Sequence, residues 1–183
     1  MNFAYNVADE LGEQIPAPSL FPSDAFHCFT DGSAFWHRHR VVSAGWAFAV
    51  GNRGCTFSDL KAETSIKQSA FGPVDLADKL HIGATRFSNN TAELSAFVEL
   101  CLYILSQIEL NRVRAKRLRT SNTIRRGDCV VVHIDSRYVI GICNDYFVAK
   151  ENIVLCNFAA HLYKYTKKFI DFRLEWVKGH SGV

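Results

Sequence analysis

Cys129-Val130-Val131-Val132-His133-Ile134-Asp135 is a run of β-branched and apolar residues that stops on a carboxylate. So continuous an apolar run suits a strand covered on both faces, in the interior of an α/β sheet. Ligands of such sheets gather at the carboxyl ends of the strands, which makes Asp135 a candidate for chemistry. It could equally cap a helix beginning at Ser136. Downstream, residues 136–144 read as a short helix and 151–168 as a longer one with Lys164, Lys167 and Lys168 on its polar face. Residues 170–177 then alternate as a last strand before Gly179.

Upstream of the central run, Phe97, Leu100, Cys101, Ile104, Leu105 and Ile108 recur at three- and four-residue steps, the period of an amphipathic helix opened by Asn89-Asn90-Thr91. Glu93 has two readings. With Asn90 as N-cap it completes a capping box, yet it also continues the inward stripe 93, 97, 100, 104, 108, which points it over the sheet. Residues 25–31 alternate as a strand, with Phe26 and Cys28 on one face and His27, Phe29 and Asp31 on the other, until Gly32 breaks the pattern. By composition Asp31-Gly32-Ser33 is a turn. The apolar run 44–50 reads as the neighbouring strand, joined through a polar loop containing His37, Arg38, His39 and Arg40. A third strand is expected between residues 69 and 82, in a segment punctuated by Gly51, Gly54, Gly72 and Gly83. Strands, helix, buried strand, helices and strand in that order suit a mixed α/β sheet with helices packed on it.

Residues 1–23 hold three of the four prolines, Pro16, Pro18 and Pro22, and read as a tail or linker leading into one domain over residues 24–183. A chain of 183 residues with 48% hydrophobic content supports one sizeable core. Its formal charge of +3 permits an anionic partner without requiring one. Six cysteines lie far apart with no C-x-x-C pair, and the first residues lack the basic-then-apolar order of a secretory leader. Reduced thiols in an intracellular protein, nuclear or cytoplasmic, are expected, rather than a zinc knuckle or a disulfide scaffold. Glu99, Gln107 and Glu109 interrupt the apolar stretch 94–110, which argues against a membrane span. Arg112, Arg114, Lys116, Arg117, Arg119, Arg125 and Arg126 crowd one segment without an acid. Such a segment contacts phosphates, or simply stays solvated. His37 and His39, with no third ligand in view, read as a solvated loop rather than a metal site.

Asp31, Glu93 and Asp135 each have a local explanation, but together they answer a different demand. Hydrolysis of a phosphodiester needs a water made nucleophilic at neutral pH and relief of charge on the leaving oxygen, which two magnesium ions roughly 3.5–4 Å apart can supply. Magnesium takes oxygen ligands and keeps several waters, so a few carboxylates and the substrate phosphate suffice.

Four stretches then stand together: Thr30-Asp31-Gly32-Ser33, Asn89-Asn90-Thr91-Ala92-Glu93-Leu94, Ile134-Asp135-Ser136-Arg137-Tyr138 and Trp176-Val177-Lys178-Gly179-His180-Ser181-Gly182. In type and order they resemble the motifs of ribonuclease H type 1 domains, over residues 24–183. The wording around the helix, with Gly72-Pro73 upstream, is also similar to the ribonuclease H domains of some retrotransposons. The resemblance implies a five-stranded mixed sheet with helices on both faces. It further implies endonucleolytic hydrolysis of the RNA strand of RNA/DNA hybrids with magnesium, or manganese, as cofactor. Asp31, Glu93 and Asp135 would be the metal ligands, with His180 on a mobile loop assisting proton transfer or product release. Gly32, Ser33, Asn89 and Asn90 would lie against the RNA strand, where 2′-hydroxyls distinguish RNA from DNA. Arg86 and Ser88 would meet a phosphate of the DNA strand. The implied partners are the hybrid and a reverse transcriptase or another retroelement protein.

The chain also departs from that pattern. The family's fourth acid stands on a helix after the histidine loop, so the resemblance places it, with the last sheet-covering helix, beyond Val183. The usual glycine-rich connection after Ser33 is replaced by Ala34-Phe35-Trp36-His37-Arg38-His39-Arg40. Residues 144–152 leave no room for the basic, tryptophan-bearing helix of cellular members. Two other readings stay open: a catalytically impaired domain of a reverse-transcribing element that binds hybrids or docks, and a DNA-cutting transposase or integrase of related architecture. Asn89-Asn90-Thr91-Ala92-Glu93 argues against the latter.

Overall fold

The computed structural model describes residues 22–55, 59, 65–76, 82–114 and 122–179. Nearly all of the expected tail, the middle of the basic segment and His180 lie outside them. Strand β1 spans Phe26–His37 and β2 spans Arg40–Gly51. They pair antiparallel, with Asp31 opposite Ala47 and Gly32 opposite Trp46. The expectation of a turn at Asp31-Gly32-Ser33 is therefore corrected: the strand passes straight through it. Glycine is required at position 32 because a Cβ there would collide with the backbone of Ala92 and Glu93 on the helix packed above. The chain reverses instead at Arg38 and His39, whose φ of 44° and 64° are left-handed. Two successive left-handed residues make the tight turn whose twist matches that of the strands it joins. The expected polar loop is thus the end of a long hairpin.

Strand β3, Ile66–Pro73, begins before the expected window and pairs antiparallel with β2, placing Phe71 opposite Ala47. Strand β4, Cys129–Ile134, lies where the sequence places it, and every one of its residues is buried. It pairs in parallel with β1 on one side and with β5, Asp171–Trp176, on the other. The five-stranded sheet runs β3-β2-β1-β4-β5, so the fold is α/β with a mixed sheet.

Three helices complete the described structure: α1 over Asn89–Arg114, α2 over Arg137–Cys143 and α3 over Ile153–Thr166. Helix α1 runs on past Ile108, so Arg112 and Arg114, the first residues of the basic segment, belong to its last turns. Its buried face, with Phe97, Leu100, Cys101 and Ile104, meets Phe26 and Cys28 of β1, Val130 and Val132 of β4 and Phe172 of β5 in one core. Phe97 stacks on Phe172 with ring centroids 6.1 Å apart and tilts against Tyr163 of α3 at 6.3 Å. Each fully buried side chain of this size contributes roughly 1.5–3 kcal/mol from apolar burial. Helix α1 is long and apolar enough to cross a membrane, but here that apolar character faces the sheet and α3.

All three helices share this core, on the Phe26 side of the sheet. The opposite side carries a smaller cluster of Ala25, Cys129 and Val131. There His27 Nδ1 lies 2.8 Å from His133 Nε2, and Phe29 stacks on His133. Burial lowers the pKa of His27. Burial and its histidine neighbour push His133 down to about 3. Both rings are neutral at ordinary pH, and one donates its N–H to the other. All six cysteines are free thiols, with Cys55 partly exposed and the rest buried.

A carboxylate cluster at the end of the central strands

Three elements each deliver one acid to the same place. Asp31 projects from the middle of β1, Glu93 from the N-terminal part of α1, and Asp135 from the residue following β4. One carboxylate oxygen from each lies within 4.8 Å of the others, the only such group of possible metal ligands among the described residues. The local explanations for these acids do not hold in the fold. Ser88 Oγ accepts the Thr91 N–H at 3.0 Å and Ser88 O accepts the Ala92 N–H, so Ser88 opens α1 and the capping box on Asn90 does not form. Ser136 Oγ accepts the Val139 N–H, so α2 is capped without Asp135. Asp31 lies within a strand. None of the three acids forms an ion pair among the described residues.

Glu93 is 8% exposed, whereas Asp31 is open to solvent and Asp135 is half-buried. Burial first, then the negative charges of Asp135 and Asp31, push the Glu93 carboxyl up to about 8, against the Gly32 N–H that hydrogen-bonds it. Its Oε2 is buried without a hydrogen-bond partner among the described residues. A buried, unsatisfied carboxyl oxygen facing two further carboxylates is costly unless a proton or a cation relieves it. An oxygen-only donor set partly open to solvent fits magnesium or manganese rather than a thiophilic metal. The residues present therefore fit a divalent ion.

Neighbouring groups hold the acids in position. The Trp176 indole N–H donates to the Asp135 carbonyl oxygen at 3.1 Å, and the Arg137 guanidinium sits 4.4 Å from the Trp176 ring centroid. Gly179 approaches so closely that a Cβ there would lie 2.7 Å from Asp135 Oδ2. The expected role of His180 falls outside the described residues. The Ala34 N–H donates to Asn89 Oδ1 at 3.0 Å, tying β1 to the start of α1 beside the cluster. Gly32, Ser33, Asn89 and Asn90 all lie on β1 or the first turn of α1, close in chain to two of the three acids.

Arg86 and Ser88 lie on the loop entering α1. Ser88 is engaged as the cap, and the Arg86 side chain pairs with Glu151 at 2.5 Å in an exposed bridge. What shapes this loop was not legible in the sequence. Asn152, buried and left-handed at φ 49°, accepts on Oδ1 from the Thr85 N–H, the Thr85 hydroxyl and the Arg86 N–H, while its Nδ2 donates to Thr91 Oγ1. One amide side chain thereby latches the loop and the first turn of α1 to the entry of α3. An asparagine between two helical stretches carries no local sign of that task. His37 and His39 stand at the hairpin end with no third ligand among the described residues.

No protein-family model and no curated protein matches the chain. Solved structures do. Ribonuclease H1 of the halophilic archaeon Halobacterium salinarum superposes with a TM-score of 0.50 at 14% identity, covering 85% of this chain and 86% of that one. The N-terminal ribonuclease H domain of rv2228c from Mycobacterium tuberculosis gives 0.52 at 15% identity, covering 86% and 85%. The foamy viral protease-reverse transcriptase in complex with RNA/DNA hybrid gives 0.51 at 14% identity, covering 91% of this chain and 19% of that much longer one. The chain has the ribonuclease H fold.

Proposed function

We propose that this domain is a metal-dependent endonuclease that hydrolyses the RNA strand of RNA/DNA hybrids by two-metal-ion catalysis. The observation that carries the reading is the buried, unpartnered Oε2 of Glu93 within reach of Asp31 and Asp135. Support also comes from fold neighbours of similar shape, two of which were solved in complex with an RNA/DNA hybrid. Asp31, Glu93 and Asp135 would hold the ions, magnesium or manganese. Bound there, such ions activate a water at neutral pH and offset the charge that builds on the leaving oxygen.

The chain's own residues do the positioning. The Gly32 N–H holds the Glu93 carboxylate, Trp176 anchors the backbone of Asp135, and Asn89 ties the helix to the strand bearing Asp31. Exposed Ser33 and Asn90 are the donors and acceptors we assign to the RNA strand and its 2′-hydroxyls. Arg86 and Ser88 are assigned to the DNA strand's phosphate, with Arg86 exchanging Glu151 for it. His180 assists proton transfer or product release in this reading. The domain would work inside the cell, with a reverse transcriptase or another retroelement protein as partner.

The test is cleavage of an RNA/DNA hybrid labelled on the RNA strand, with magnesium, with manganese and with chelator. Metal-dependent cutting of the RNA strand, lowered at least about a hundredfold by Asp31→Asn, is expected. If wild type and Asp31→Asn bind the hybrid equally and neither cuts it, the domain is a hybrid-binding or docking module instead.

A further inference from the structure

The β1–β2 hairpin continues well past the carboxylates, and its far end carries chemistry that cleavage does not use. Trp36 stands five residues beyond Asp31 on β1, roughly 17 Å away at the rise of a strand. Phe35 and Trp36 are 64% and 59% exposed, although neither contributes to the core. They do not sit on a loose loop. Phe35 pairs with Ser43 and Trp36 with Val41 across a bulge at Val42, and the two left-handed residues Arg38 and His39 close the ladder. His37, Arg38, His39 and Arg40, which follow them in the chain, are all exposed too. No Asp or Glu occurs from Gly32 to Ser58, and neither Arg38 nor Arg40 has an ion-pair partner among the described residues.

Exposed rings followed closely by guanidinium groups without ion-pair partners, on a strand-paired hairpin, match one kind of ligand well. Phosphates meet the arginines, and the rings offer stacking surfaces to bases. Bases inside a duplex already stack on one another, so the rings can serve only unpaired ones. The separation of roughly 17 Å corresponds to about five nucleotide steps at 3.4 Å each. We infer that the hairpin tip grips single-stranded nucleic acid continuing from a duplex laid over the carboxylates, so that the protein favours junctions between a hybrid and a single strand. The location of that duplex rests on the proposed function; the grip on single strands does not.

The test reads affinity separately from cleavage, by fluorescence anisotropy with chelator present. The probes are a short labelled oligothymidylate, a blunt RNA/DNA hybrid, and the same hybrid with a single-stranded extension. The wild type should prefer the extended hybrid over the blunt one. Trp36→Ala and Phe35→Ala should each weaken oligothymidylate binding about tenfold, with blunt-hybrid affinity unchanged. Trp36→Phe, which keeps a stacking ring, should restore most of the loss. Equal oligothymidylate affinity of wild type and Trp36→Ala, or no preference for the extension, overturns the inference. So does a Trp36→Ala protein that loses self-association and nothing else, since the tip would then be a protein contact. A wild type that prefers the extension but never cuts with metal removes the proposed function alone. One that cuts blunt and extended hybrids alike, and binds them alike, removes the hairpin inference alone.

Discussion

Glu93 is a residue whose surroundings oppose its own charge. A carboxyl lifted to about 8 in the fold from 4.5 keeps a proton that the unfolded chain has released. Its contribution to stability is therefore full below pH 4.5 and is lost as pH rises through about 8. In chelator, the urea midpoint should fall between pH 6 and pH 9. Magnesium should restore the midpoint at the higher pH, and Glu93→Gln should flatten the dependence while abolishing the magnesium effect. A wild-type midpoint that does not fall over that range, or a fall that survives in Glu93→Gln, would sink this account. Gly32 makes a sharper steric statement. Since a Cβ at position 32 meets the backbone of Ala92 and Glu93, Gly32→Ala must push α1 away from β1. A loss of about 3 kcal/mol in urea denaturation is expected, with weaker magnesium binding because the two acids separate. Retained stability would mean that the helix and strand are not in this close approach.

Among the elements, the entry to α1 depends on two side chains of unequal weight. Ser88→Ala removes a cap and should cost about 1 kcal/mol. Asn152→Ala strips partners from Thr85, Arg86 and Thr91 at once, and a loss of about 3 kcal/mol is expected. Denaturation midpoints of the two variants check the order, and the reverse order would remove Asn152 from its role as latch. The boundaries that the residue pattern anticipated closely are those of β4, α2, α3 and β5, where apolar period and breakers agree with the final packing. It misjudged β1 for a physical reason. Asp-Gly-Ser prefers a turn in isolation, but pairing with β2 and the close approach of α1 override that preference. The caps were misassigned in the same way, because several hydrogen-bonding residues precede each helix and only the backbone path decides which is used.

At the scale of the molecule, one core joins sheet, α1 and α3, and Phe97 stands at its centre between Phe172 and Tyr163. Phe97→Ala should lower stability by about 3–5 kcal/mol, measured by urea denaturation, with the carboxylates untouched. A much smaller cost would mean that the helices do not share a single core with the sheet. Residue order alone determined the α/β class, the buried strand ending at Asp135, the inward stripe of α1 and the identity of the three acids, because each is written in a short stretch of chain. The tertiary structure alone decided that Asp31, Glu93 and Asp135 converge, that Glu93 Oε2 is left buried without a partner, and that Asn152 and Trp176 brace the site. It also turned an expected polar loop into the end of a long hairpin with exposed rings. The reason is common to all of these. They depend on distances between residues remote in sequence, and those distances exist only once α1 has docked on the sheet and β4 has paired with β1.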